Sequence, residues 1–203
     1  MTEPRVFNPL DKLNLGNSIV DALLEAPIIP LGEIKEFNGA GIYAIYYSGS
    51  YAAYAPLSER NRTRAVHPIY VGKAIPKGGR KGSIKDASIE SNALAARLRE
   101  HAESIRAVKS LNIADFTCRH LVVDDIWISL GETLLIHRFE PLWNQVVDGF
   151  GNHDPGSGRY NGKRPVWDEL HPGRAWAAKC QAAKQERAEV LGATKKYMDR
   201  FKK

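Results

Sequence analysis

Three short apolar segments along the chain have the character of β-strands. They cover residues 39–47, 68–71 and 115–123. Each contains several β-branched and aromatic side chains, and the first two are bounded by Gly, Pro and Ser, the residues that commonly flank strands. The three segments therefore predict a small β-sheet.

Four further segments have the pattern of helices: 15–24, 93–108, 126–139 and 175 to about 201. The first repeats apolar side chains at helical spacing, the third is almost wholly apolar, and the last is rich in Ala, Lys, Glu and Arg. Residues that commonly cap helices precede the second and third segments: Ser91 or Asn92, and Asp124 or Asp125. The whole pattern predicts an α/β fold, with a small mixed sheet flanked by helices.

The chain is long enough for one domain with a proper core. It has 203 residues, of which 43% are hydrophobic. We expect a single elaborated domain, with a core over about 39–144, an N-terminal arm over 1–38 and a C-terminal extension over 145–203. The helix predicted in the arm would pack either on that core or on a second subunit, and the pattern leaves both open.

Basic side chains are concentrated in two blocks of the chain. The formal net charge is +6, but residues 60–109 hold 12 Lys or Arg against 4 Asp or Glu, and residues 151–203 hold 12 against 6. Runs of charge are commonly solvated surface. Two basic blocks are also what a protein needs if it binds phosphates around a reactive centre, so we expect an anionic partner.

The cysteine content and hydropathy of the chain exclude several classes of protein. Cys118 and Cys180 are too few and too far apart for a disulfide framework or a thiolate zinc site. The chain does not open with a basic and apolar signal segment, and no apolar run reaches the roughly 18 residues of a membrane span. We therefore expect a cytoplasmic protein with no membrane association.

One tyrosine stands on each of the first two predicted strands. Tyr43 ends the sequence GIY at 41–43, and Tyr70 begins the sequence YVG at 70–72. For either tyrosine alone, packing in a half-buried sheet is the commoner role.

Charged and titratable side chains follow on the predicted helices. Arg97 and His101 are four positions apart, so both point from one helical face and can reach the same phosphate. Glu132 lies on an apolar stripe, and a buried carboxylate is usually paired or bound to a metal because burying it alone costs several kcal/mol. On the same helix, Glu140 or His137 could equally be the functional partner.

The two tripeptides resemble the paired signature of the GIY-YIG nuclease superfamily, with Val71 in place of the middle Ile of the second element. The family's catalytic residue types then follow in order, at Arg97, His101, Glu132 and Asn144. The resemblance covers residues 39–144. Residue types that fall in family order, on the expected elements, are hard to obtain by accident.

The resemblance implies metal-dependent hydrolysis of DNA that leaves 5′-phosphate and 3′-hydroxyl ends. Glu132 would bind Mg²⁺ or Mn²⁺, for which one carboxylate suffices if phosphate oxygens and waters complete the coordination shell. Arg97 would clamp the phosphate, because its guanidinium fork matches two oxygens.

The resemblance also assigns roles to the remaining residues of the set. Tyr43 would activate the attacking water, with Tyr70 beside it. An unperturbed phenol is a poor base at neutral pH, so we expect nearby cations, such as Lys73 and the clamping arginine, to lower the pKa of Tyr43. His101 occupies a position where relatives carry His or Tyr, and Asn144 matches an asparagine that braces the site.

Further polar residues are candidates for contacts with double-stranded DNA. The insertion between the first two strands ends in a basic run, which could track a DNA backbone or be an exposed hairpin tip. The segment 149–174 offers Arg, Asn and His side chains that could read base edges. The candidates are Arg62, Lys73, Arg80, Lys81, Asn152, His153, Arg159 and Arg164.

The inserted loops resemble the type II restriction endonuclease branch of the superfamily. Repair and homing members typically attach a separate DNA-binding domain, whereas type II enzymes cut short, usually symmetric sites as dimers. The resemblance therefore implies a homodimer and a companion DNA methyltransferase that protects the same site. A repair or homing nuclease, and a non-catalytic DNA-binding module on the same scaffold, are the alternatives.

Overall fold

Four strands form the sheet: β1 (Ile29–Pro30), β2 (Gly41–Tyr47), β3 (Tyr70–Ala74) and β4 (Phe116–Val122). They lie in the order β1, β4, β2, β3, and each neighbouring pair is antiparallel. The structure is a computed structural model that describes residues 8, 10–76 and 90–201. The predicted α/β class, with a small sheet flanked by helices, is confirmed, but the described strands form an antiparallel sheet rather than the expected mixed sheet.

The central strand, β2, is buried along its whole length. Its odd-numbered side chains, from Tyr43 to Tyr47, enter a hydrophobic core on one face of the sheet. Its even-numbered side chains, from Ile42 to Tyr46, enter a second core on the other face. Both faces of the sheet therefore require a covering layer.

Within the described ranges the α-helices are α1 (Lys12–Glu25), α2 (Ala55–Asn61), α3 (Ala93–Arg106), α4 (Asp125–Phe139), α5 (Leu142–Gln145), α6 (Val166–Leu170) and α7 (Arg187–Met198). α1 and α4 pack together over the even-numbered face, so the predicted first helix covers the core of its own chain. α3 and the C-terminal segments cover the odd-numbered face. None of these helices is long and apolar enough to cross a bilayer.

Polar residues at its two ends define α4, the helix that carries Glu132. Oδ1 of Asp124 accepts a hydrogen bond from the backbone nitrogen of Ile126 at 3.2 Å. At the other end, Glu140 adopts the left-handed conformation with φ of 42°, and Pro141 follows. Both features commonly terminate helices.

The insertion between β2 and β3 is helical rather than an open hairpin. α2 fills it, and Asn61 at the end of α2 is buried. The Asn61 amide accepts from the backbone nitrogen of His67 at 2.9 Å and donates to the carbonyl of Tyr47 at 3.1 Å. These bonds hold the insertion against the end of β2. The neighbouring Arg62 pairs with Glu59 at 3.1 Å.

The prediction of a helix from residue 175 onward is wrong in its first half. α7 begins only after Glu186, which forms a reciprocal capping box with Glu189. Upstream, the backbone of Gln181 accepts from the nitrogen of Arg164 at 2.9 Å and donates to the carbonyl of Gly162 at 3.0 Å. These bonds make a β-bridge, so the backbone there is not available to a helix.

A chain of polar side chains crosses the core on the odd-numbered face. His171 is fully buried, and its Nε2 lies 2.6 Å from the hydroxyl of Tyr54 while its Nδ1 lies 2.8 Å from the hydroxyl of Ser110. The indole nitrogen of Trp143 donates to Tyr54 at 3.0 Å. Burial lowers the pKa of His171 to about 3, so this imidazole is neutral at pH 7.

We expect this histidine to make the fold sensitive to mild acid. Below about pH 6.5, the ordinary pKa of histidine, the unfolded chain binds a proton at His171 that the folded chain does not bind until about pH 3. His171 alone should therefore cost about 2 to 3 kcal/mol of unfolding free energy between about pH 6.5 and 4.5.

Urea unfolding at the two pH values measures this loss. In His171→Gln, position 171 cannot titrate, so the variant should lose less stability over the same interval than the wild type. An equal loss in both proteins would contradict the assignment of a buried neutral histidine.

Candidate active site

The edge strand β3 brings the two signature tyrosines together. Tyr43 on β2 lies directly opposite Gly72 on β3, and the Tyr43 ring passes over that glycine. A Cβ at position 72 would lie 2.4 Å from the Tyr43 hydroxyl oxygen, so a side chain there would collide with the phenol. The Tyr70 ring is tilted against the Tyr43 ring, with 6.3 Å between the centroids.

The Tyr43 hydroxyl is hydrogen-bonded to His101 on α3. The distance from Oη to Nε2 is 2.6 Å, and both residues are buried. Burial, and less strongly the charge of Arg97, hold the pKa of His101 well below its ordinary value. Burial, and then the neighbouring Tyr70, raise the pKa of Tyr43 well above its ordinary value. At pH 7 a protonated phenol therefore donates to a neutral imidazole.

The expected lowering of the Tyr43 pKa is therefore wrong. Arg97 does act in that direction, but burial outweighs it. Lys73, the second expected cation, follows Gly72 in the strand and so points to the opposite face. There its Nζ lies 2.8 Å from Oε2 of Glu132. The Lys73 ammonium therefore pairs with the Glu132 carboxylate rather than with the Tyr43 phenol.

Glu132 approaches the site from the even-numbered face of the sheet. It lies on α4, and its side chain is 20% exposed. Its ion pair with Lys73 places the carboxylate at β3, one residue from Gly72, and its charge raises the pKa of both Tyr43 and Tyr70. Within residues 10–76 and 90–201, no strand pairs with the outer side of β3, so another strand does not block this approach.

The Glu132 carboxylate fits a single hard cation with few protein ligands. Within the described part of the chain, no group of three or more His, Cys, Asp or Glu side chains is arranged to hold a metal. Mg²⁺ retains waters and prefers oxygen ligands, so one carboxylate suffices where phosphate oxygens join it. The two alternatives lie elsewhere. Glu140, the residue after α4, pairs with Arg200 at 3.2 Å, and His137 on α4 lines a groove against α1.

Arg97 is held by the turn that follows α5. Its Nη2 donates to the carbonyl of Gly151 at 2.5 Å. Its Nη1 donates to Oε2 of Glu100 at 3.1 Å and contacts His153. The positive charge opposes the rise in pKa at both signature tyrosines. Arg97 Nη2 and the Tyr70 hydroxyl both lie within 3.5 Å of the point that a Cβ at Gly151 would occupy, so the guanidinium lies beside this phenol on the odd-numbered face.

Phe150 and Gly151, which the motif did not include, close the site. The Phe150 ring stacks on His101 with 4.6 Å between centroids and meets Tyr70 edge-on at 5.0 Å. A Cβ at position 151 would lie 2.4 Å from the Tyr70 hydroxyl. The signal in the sequence is an aromatic residue between two glycines, since Gly149 precedes Phe150.

Asn144, the predicted bracing residue, bonds to the edge strand. Its Oδ1 accepts from the backbone nitrogen of Val71, and its Nδ2 donates to the carbonyl of Val71, both at 2.9 Å. The amide thus makes the two bonds that a neighbouring strand would make. It holds the strand segment that carries Tyr70 and Gly72.

A cleft of about 790 Å³ lies beside the site, between β3 and the first turns of α3. Two of the predicted DNA-contacting residues, Lys73 and His153, line it together with Arg97. Cations from both faces of the sheet therefore border one cleft, which suits a chain of phosphates.

Of the other predicted DNA-contacting residues, those that the structure describes do not line this cleft. Arg62 and Arg164 are each paired with a glutamate of their own segment. Arg159 is exposed at a short turn, and the carbonyl of Asn152 accepts a hydrogen bond from a buried arginine. Two candidates fall outside the described residues: Arg80 and Lys81.

Comparison with protein families agrees with these residues and their geometry. The family model described as the Eco29kI GIY-YIG domain, a type II restriction endonuclease family, matches residues 35–198. A comparison with curated protein sequences found no match. The matched range contains the edge strand, both signature tyrosines and the helices that carry Arg97 and Glu132. The chain therefore belongs to the Eco29kI GIY-YIG domain family and is a DNA-binding nuclease of the restriction endonuclease type.

Proposed function

We propose that the protein is a type II restriction endonuclease, which hydrolyses double-stranded DNA at a specific site and leaves 5′-phosphate and 3′-hydroxyl ends. The observation that carries the proposal is the convergence at β3 of groups from two faces of the sheet. The Tyr43–His101 pair and Arg97 come from one face, and Glu132 comes from the other. These are the groups that hydrolysis of a phosphodiester requires.

Glu132 would hold Mg²⁺ or Mn²⁺ at this site. When bound, the ion neutralises charge on the scissile phosphate and on the departing 3′ oxygen. Lys73, 2.8 Å from Glu132, supports the carboxylate at the edge of β3. Its ammonium also adds a positive charge that attracts the phosphate into the cleft.

Tyr43 and His101 would take the proton of the attacking water. Because the Tyr43 hydroxyl donates to neutral His101, the phenol oxygen can accept a proton from water while its own proton passes to Nε2. The lowered pKa of His101 keeps that nitrogen unprotonated at neutral pH. Since Tyr43 is fully buried, the water would enter past Tyr70, the less buried of the two phenols.

Arg97 would clamp the scissile phosphate through its guanidinium fork. Glu100, which now occupies Nη1, has a side chain 53% exposed, so a phosphate oxygen can replace it from the solvent side. The bond from Nη2 to Gly151 lies on the protein side. It would keep the guanidinium oriented during that exchange.

Two copies of the chain would act together in the cytoplasm. A symmetric duplex site is naturally read by a two-fold dimer, and one active site with one metal serves one strand. The segment 149–174 would supply contacts to base edges, with the exposed Arg159 as the first candidate. A companion DNA methyltransferase would protect the same site.

Glu132→Gln should abolish cleavage and leave DNA binding largely intact, because the amide retains the shape of the side chain but not the negative charge that binds the metal. Plasmid cleavage with Mg²⁺ or with EDTA, beside a gel-shift assay, measures both properties. Glu140→Gln, at the residue that directly follows the same helix, is the matched control and should cleave normally. Normal turnover by Glu132→Gln would remove the metal assignment.

Tyr43→Phe should slow cleavage by a factor of about 100 or more, the usual scale for removal of a general base. The measurement is the single-turnover rate on saturating DNA. Tyr46→Phe removes a hydroxyl from the opposite face of the same strand and should leave the rate unchanged. If Tyr43→Phe cleaved at the wild-type rate, Tyr43 would be a packing residue.

Arg159→Ala should weaken binding to the target site far more than binding to random DNA, because a base contact contributes only at the right sequence. Sequencing the ends of cleaved phage DNA first identifies the target, and titrations with target and scrambled duplexes then compare the two affinities. Arg62→Ala is the control, because a phosphate contact would weaken both equally. Equal losses for Arg159→Ala would remove it from sequence recognition.

A further inference from the structure

Arg174 is a buried arginine whose hydrogen bonds all stay inside the protein. The residue is 4% exposed, and its guanidinium lies over the rings of Trp167 and Trp176, 4.7 Å from each centroid. Its ion partner Asp168, on α6, is 1% exposed. A buried charge of this kind persists only when it is paired and fully hydrogen-bonded.

All five N–H groups of Arg174 have an acceptor. Nε donates to Asp168 at 2.7 Å, and one hydrogen of Nη2 goes to the same carboxylate. The other three go to backbone carbonyls of one turn, at 3.0 Å to Phe150, 3.0 Å to Asn152 and 2.9 Å to Gly149. No donor remains for a phosphate or a base, so Arg174 does not serve DNA binding.

The turn 149–152 is shared between two arginines. Three of its four carbonyls accept from Arg174, and the remaining one, on Gly151, accepts from Nη2 of Arg97. Arg174 therefore holds the turn in place, and the turn holds Arg97, the residue proposed to bind the phosphate.

The same turn also fixes the proton acceptor of the site. The Phe150 ring lies flat on the His101 imidazole, with 4.6 Å between centroids and an interplanar angle of 20°. The carbonyl of Phe150 is one of the three that Arg174 holds. The Arg174 guanidinium thus fixes the position of the turn, and with it the Gly151 carbonyl that orients Arg97 and the Phe150 ring that stacks on His101.

We propose that Arg174, itself held by Asp168, is a positioning residue for cleavage, which sets the orientation of Arg97 and His101 through the turn 149–152. This inference rests on the proposed function, in which Arg97 and His101 act on the substrate. It gives the segment 149–174 a role in catalysis in addition to any role in DNA recognition.

Arg174→Lys is the variant that tests the proposal. Lysine keeps the charge, but its single ammonium cannot reach three carbonyls and a carboxylate in the geometry of the fork. The single-turnover rate on saturating DNA should fall about 10- to 100-fold, the scale expected when a catalytic group is displaced by about 1 Å. The Kd for DNA, measured with EDTA, should change by less than about threefold.

Arg119→Lys is the matched control. Arg119 is also buried, but it contacts the carbonyl of Ala65 at 3.4 Å and the Tyr46 ring on the opposite face of the sheet. Its substitution should lower thermal stability and leave the cleavage rate of the folded protein unchanged.

If Arg174→Lys does not fold, Asp168→Asn, which removes only the charge that holds Arg174, takes its place in each measurement.

A second measurement does not depend on cleavage. The proton NMR signal of the His101 imidazole, assigned by its loss in His101→Gln, carries the ring-current shift of the stacked Phe150. In Arg174→Lys this signal should move, and in Arg119→Lys it should not.

The outcomes separate this inference from the proposed function. A wild-type rate in Arg174→Lys, or an unchanged His101 signal, would overturn the positioning role, and so would equal rate losses in Arg174→Lys and Arg119→Lys. If the wild-type protein cleaved no DNA, the proposed function would fail, and the NMR signal alone would decide whether Arg174 sets the place of His101.

Discussion

The close passage of the Tyr43 ring over Gly72 is the constraint on which the rest of the site depends. It requires that these two residues face each other across the β2–β3 pair. A slip of one residue would place Val71 or Lys73 under the ring and would turn every side chain of β3 to the other face. In the observed register the phenol reaches His101 on α3, and the neighbouring lysine reaches Glu132 on α4.

The site lies at an edge of the sheet, where side chains from opposite faces of the sheet can approach the same point. In the interior of a sheet, the backbone separates the two faces by a full layer. Among the residues that the structure describes, no strand lies beyond β3, so Glu132 from one side and Arg97 from the other can influence the same two phenols. The cleft at this edge is lined by two cations of the first basic block, Lys73 and Arg97, and by His153.

Much of this arrangement is predictable from the sequence. A short apolar run of β-branched and aromatic residues predicts β2, capping residues mark the starts of α3 and α4, and the spacing of four places Arg97 and His101 on one helical face. The direction of Lys73 depends on strand register, which the tripeptide does not specify. The role of Arg174 leaves no trace in the residue pattern, because three of its acceptors are backbone carbonyls more than twenty positions away. The β-bridge between Lys163 and Gln181 also joins backbone groups that are distant in the sequence, so the residue pattern does not reveal that α7 begins only after it.

The outer edges of the sheet resist the addition of another strand. Along β3, the Asn144 amide bonds to both backbone groups of Val71, and the nitrogen of Trp143 donates to the carbonyl of Ile69 at 2.9 Å. At the far side, β1 is two residues long and ends in Pro30, which has no amide hydrogen. In the proposed dimer, two copies of this chain would therefore not assemble by extending one sheet into the other. Helices and loops would form the contact between them, and each sheet would remain complete within its own subunit.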